Sequence, residues 1–175
     1  MNIKELKQLI KESYITEIGD LKGIKPFPYE QVLGDEYEFQ SNVGRVNVNF
    51  EELTQSDTDL KVSYGGFDYG QPQVNVGYTL EGVDSQYLKS NPRELFKILK
   101  TIVDITNDYI SKQSPYVLLF FGVSKDGGLK DDRQKNSLYL SIMNQNLPTG
   151  YRLSKATIKP EFLDSDMNGY VLFKK

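Results

Sequence analysis

Cysteine and histidine are both absent from the 175 residues. Without cysteine there is no disulfide, no thiolate nucleophile and no thiolate zinc site. Without histidine, Ser-His-Asp and Cys-His catalysis and the two-histidine metalloprotease motif are excluded, which leaves carboxylate, lysine, tyrosine, hydroxyl or backbone chemistry. Any metal would have to be a hard cation held by oxygen. An excess of charge is missing too: 21 basic against 24 acidic residues give a net −3, too little to attract nucleic acid or an anionic membrane. No apolar run approaches the length that crosses a bilayer, and the start of the chain lacks the apolar core and cleavage site of a signal peptide, so a cytoplasmic, non-secreted protein is expected.

What is present is a chain of ordinary domain size with 38% hydrophobic and 12% aromatic residues, enough to bury a core unaided. Its best-marked stretch begins at Asn91, a helix-capping residue, followed by Pro92 at the first helical position and by Glu94 as the reciprocal partner of a capping box. Leu95, Ile98, Leu99, Ile102, Val103, Tyr109 and Ile110 then recur at helical spacing, with Lys97, Lys100, Asp104 and Asp108 on the other face. Ser114-Pro115 ends this helix. The run Tyr116 to Val123 shows no alternation and predicts a central strand covered on both faces. Asp131 to Leu147 carries Leu138, Tyr139, Ile142, Met143 and Leu147 on one side, predicting a second helix, and the segments from Tyr151 to Lys159 and from Tyr170 to Phe173 predict a closing antiparallel pair.

Ahead of this stretch, Ile3, Leu6, Leu9, Ile10, Tyr14 and Ile18 form the apolar stripe of an N-terminal helix stopped by Gly19, which either packs on its own domain or docks on a partner. Residues 1–19 are therefore set apart from a single domain over 20–175. Leu21 to Asp35 reads as an irregular connector anchored by Ile24, Phe27 and Val32. Alternation then predicts four one-faced strands, at Tyr37 and Phe39, at Val46, Val48 and Phe50, at Leu60, Val62 and Tyr64, and at Val74, Val76, Tyr78 and Leu80. Short turn segments between them suggest an antiparallel meander. The order is helix, four strands, helix, strand, helix, two strands. It specifies an α+β fold with a mixed, mainly antiparallel sheet and helices packed on it.

That order resembles the second half of the GNAT acyltransferase family. The segment from Arg133 to Leu138-Tyr139 and on to Gly150-Tyr151 is similar to the GNAT stretch with Asn-x-x-Ala-x-x-Leu-Tyr and a following Gly-Phe. The resemblance implies an acyl-CoA-dependent N-acyltransferase in which Tyr139 acts as general acid toward the departing thiolate. The residues themselves place Tyr139 on the buried face of an amphipathic helix, where such stripes are normally core. GNAT enzymes hold the pyrophosphate on a glycine-rich loop at the head of the long helix. From Val83 to Arg93 this chain has no glycine, a proline without an amide and an asparagine at the cap, which speaks against a cofactor there.

The opening Met1 to Glu12, with its Lys/Glu/Leu/Ile pattern, and the second half, from Arg93-Glu94-Leu95-Phe96 through Tyr116 to Phe120 and on to Gly150-Tyr151-Arg152-Leu153, are similar to uncharacterised tailed-phage proteins. This resemblance implies the cytoplasm of a host cell or a virion as the setting. The expectation is a non-catalytic protein working through contacts with other proteins or by self-association, with Ile3, Leu6, Ile10 and Tyr14 as partner-binding candidates, no cofactor, no metal, no nucleic acid and no membrane. The Asp126, Asp131 and Asp132 group lacks EF-hand spacing and reads as a solvated turn. Asp59-Leu60-Lys61 has a nuclease-like spacing but no second acid, and the aromatic residues Phe67, Tyr69, Tyr78 and Tyr87 read as sheet packing.

Overall fold

The structure is a computed structural model and describes residues 23–53, 60–63, 73–82, 91–121, 142–160 and 167–174. It is α+β: a mixed, mostly antiparallel sheet carries one long helix. The strands are β1 (Tyr29–Leu33), β2 (Glu36–Ser41), β3 (Gly44–Leu53), β4 (Leu60–Ser63), β5 (Gln73–Glu81), β6 (Val117–Phe121), β7 (Tyr151–Pro160) and β8 (Met167–Lys174), with the helix α1 (Pro92–Gln113) between β5 and β6. Across the sheet the order is β1-β2-β3-β5-β6-β8-β7-β4. Residues 142–145 are also helical, within the span where the sequence predicts its second long helix. The expected N-terminal helix lies outside the described residues.

The alternating pattern of β2 and β3 does what period-two spacing requires. Tyr37, Phe39, Val46, Val48 and Phe50 are all buried on the side facing α1, together with Val74 and Val76 of β5 and Leu118, Phe120 and Leu172 of β6 and β8. Ring contacts tie this layer to the helix, since Phe50 lies flat on Tyr109 at 3.9 Å between centroids and 3° between planes. In β6, Val117, Leu118 and Leu119 are fully buried. An unbroken apolar run has both faces covered, as expected of an interior strand.

Three expectations about the first half are corrected. The connector contains a strand: β1 pairs antiparallel with β2, Tyr29 opposite Phe39, and a bulge between Gln31 and Leu33 breaks the alternation that would have marked it. Gly34, at a φ of 53°, makes the turn between them. Second, the four strands are not one meander. β3 pairs directly with β5, whereas β4 crosses to the far edge and pairs with β7, Leu60 opposite Pro160. Third, Val32 is 54% exposed and does not serve as an anchor, and Tyr78, in line with Val74 and Val76 on the packed face, is still 40% exposed.

The helix is also buried on more of its circumference than its apolar stripe suggests. Phe96, Thr101, Ile105 and Thr106 are buried beside the expected Ile98, Leu99, Ile102, Val103, Tyr109 and Ile110. Both threonines are accommodated because their hydroxyls donate to carbonyls one turn back, Thr101 to Lys97 and Thr106 to Ile102. The Thr101 hydroxyl also accepts from the Phe27 amide at 2.9 Å, fastening the approach to β1 across the helix. The supposedly solvated face is likewise engaged: the Lys97 ammonium sits 3.9 Å from the centre of the Phe27 ring. Lys100 bonds both Asp104 and Asn146, and Asn107 donates to the Asn146 carbonyl. These contacts clamp the end of the 142–145 segment onto α1.

Candidate functional site

Two places bear on function: the head of α1 together with the parallel β5–β6 seam, and the β1 edge of the sheet. At the first, Pro92 opens the helix as its sequence predicts, but the capping box does not form. The Asn91 side chain makes no capping hydrogen bond. Its backbone carbonyl instead takes the Glu94 amide at 3.1 Å and the Leu95 amide at 3.3 Å. Glu94 turns away from its own helix and accepts from the Asn42 amide at 3.0 Å and the Asn42 side-chain amide at 2.9 Å. Both of its oxygens are thereby committed to the β2–β3 turn. The first turn of α1 thus carries a fixed carboxylate, which favours the positive end of the helix dipole and repels a second anion there.

At the seam, β5 and β6 run parallel and pair from Gln73 opposite Val117 to Val76 opposite Phe120. Beyond Val76, β5 continues to Glu81 with β3 as its neighbour, and no described strand accompanies it on the β6 side. Tyr78, 40% exposed, stands on that unaccompanied half. Asn75, next to the seam, has a buried carboxamide oxygen without a hydrogen-bond partner.

Burial raises the phenols of Tyr29, Tyr37, Tyr151 and Tyr170, and raises Tyr109 from 10.0 to about 12, with Asp35 and Glu52 adding to the effect. Burial therefore holds these phenols protonated at neutral pH. Because the folded value lies above the unfolded one, the associated stability is complete below pH 10.0 and is lost as pH climbs toward about 12. Urea titrations across that interval should show stability falling with pH, and Tyr109→Phe should flatten the fall by up to about 3 kcal/mol, taking ~1.4 kcal/mol per unit. An unchanged slope would mean that Tyr109 ionises equally in both states.

The β1 edge is chemically different. Val32 and Leu33 are 54% and 75% exposed on a strand with no neighbour on its outer side among the described residues. Toward the start of β1 is a shallow depression of about 370 Å³ lined by Tyr29, Glu30, Glu38, Gln40 and Arg45, among others. Arg45 bridges Glu38 at 3.7 Å in an exposed setting, so the pair is weak and open to competition. Neither Val32 nor Leu33 was singled out as an interaction residue by sequence pattern.

Tyr139 lies outside the described residues, as do Ile3, Leu6, Ile10 and Tyr14, the Asp126, Asp131 and Asp132 group, and Asp59, Phe67, Tyr69 and Tyr87. Among the described residues no three acidic side chains gather as a metal site, and no helix is long and apolar enough to cross a membrane. Comparison with protein-family models, with curated proteins and with solved structures finds no match to this chain.

Proposed function

We propose that this is a non-catalytic protein of phage type, a virion component or accessory factor, whose α+β scaffold serves contact with other proteins or with copies of itself. The observation that carries this reading is the head of α1. The Glu94 and Leu95 amides bond the Asn91 carbonyl and the Glu94 carboxylate is locked onto Asn42, so a pyrophosphate approaching this first turn meets a negative charge. The exposed apolar pair Val32 and Leu33 on an edge strand supports contact as the mode of action. The N-terminal stripe of Ile3, Leu6, Ile10 and Tyr14 offers a second partner-binding element by its pattern.

A second reading has its own support. The parallel β5–β6 pair joined by α1 supports it, together with the resemblance of the element order to the second half of the GNAT family. On this reading the protein is a divergent acyl-CoA-dependent N-acyltransferase with Tyr139 as general acid. Calorimetric titration with acetyl-CoA separates the two. Micromolar binding that weakens in Tyr139→Phe would defeat the contact scaffold, and absence of binding at millimolar ligand would remove the acyltransferase.

A further inference from the structure

Resting on the protein-contact reading, we propose that the outer edge of β1 receives an extended peptide segment of a partner protein as an added strand, and that the adjoining depression selects a basic side chain on it. Three features converge. Among the described residues the edge is open: β1 stands first in the sheet order, with β2 on one side only. Such an edge offers unpaired backbone amides and carbonyls to an incoming strand, and main-chain bonding of this kind supplies affinity without regard to sequence. Pockets beside the strand then supply selectivity.

The second feature is the apolar step. Val32 and Leu33 are both exposed on successive positions, so an added strand can bury one apolar side chain against them. The third is charge. Glu30 of β1 and Glu38 of β2 are cross-strand partners and both line the 370 Å³ depression, where Arg45 is the one cation. Arg45 balances one carboxylate through a long, exposed bridge, leaving a second for an incoming lysine or arginine. The occupant that fits is an extended segment that alternates apolar and basic residues. A second copy fits less well. Antiparallel pairing of two β1 strands about Gln31 would bring Glu30 against Val32 and Tyr29 against Leu33, with no basic residue to meet either Glu30.

The full chain is panned against a displayed library of random octapeptides, and selected peptides are synthesised and titrated by fluorescence anisotropy. Enrichment of alternating apolar and basic sequences is expected, with binding weakened at least tenfold in both Glu30→Lys and Leu33→Lys while Leu147→Met, away from the edge, leaves it unchanged. Circular dichroism melts confirm that the variants fold. Selected peptides indifferent to both edge variants would overturn the β1 assignment while leaving the contact reading standing. No enrichment at all would overturn the peptide proposal, and the acetyl-CoA titration then decides the broader reading independently. A concentration-dependent dimer abolished by Leu33→Lys would give the edge to a second copy and likewise overturn it.

Discussion

Replacing Phe50 with alanine is expected to cost about 3–5 kcal/mol, the range for deleting a buried aromatic ring from a packed core. Phe50 is 5% exposed and joins three elements: it stacks on Tyr109 of α1, meets Tyr37 of β2 edge-on at 5.8 Å, and pairs across the ladder with Val76. Its loss therefore opens a void between sheet and helix that no single neighbour can refill. Urea denaturation measures the cost. Combining Phe50→Leu with Tyr109→Leu in a double-mutant cycle should recover a coupling of about 0.5–1.5 kcal/mol for the stacked rings. A loss below about 1 kcal/mol for the alanine variant would show that α1 does not rest on this ring.

Leu118→Ala is expected to destabilise by about 2–5 kcal/mol. Leu118 is fully buried in β6, bonded in register to Val74 on the parallel side and to Leu172 on the antiparallel side. The void would fall where the two halves of the sheet join. Leu33→Ala is the matched control, since the same atoms are removed from a side chain 75% exposed, and its cost should stay within about 0.5 kcal/mol. Equal effects at the two positions would contradict the burial of β6.

These two residues also illustrate what a sequence can disclose. Phe50 closes an alternating run and Leu118 sits in an unbroken apolar one, and each pattern carries its own burial instruction because side-chain direction follows from strand geometry. The limits of α1 were equally legible, from Pro92 at one end to Ser114-Pro115 at the other; Ser114 adopts a left-handed φ of 47° and closes the helix through its amide to Ile110. Illegible were the features set by distant partners. Nothing local assigns β4 to β7 instead of to β3, because period-two alternation names a face and not a neighbour. β1 escaped because its bulge removes the alternation itself.

The candidate site divided the same way. The absence of a glycine-rich loop before α1 could be read directly, whereas the direction of Glu94 could not. A glutamate three residues after an asparagine satisfies the capping-box spacing, yet Asn42, fifty-two positions earlier, holds the carboxylate. Thr101 and Thr106 were placed with neither face by hydropathy, and only their bonds to carbonyls one turn back explain how they are buried.

The pairing of Leu60 with Pro160 joins positions about a hundred residues apart along the chain. Until the β7–β8 hairpin is in place, β4 has no ladder to join, so a nascent polypeptide must hold that strand in waiting while most of the sheet assembles. Closing so long a loop delays the reward of its contacts, and refolding on the millisecond-to-second scale is the expected tempo. During that interval the far edge of the sheet stands open to wrong partners, a hazard set by topology and not by composition.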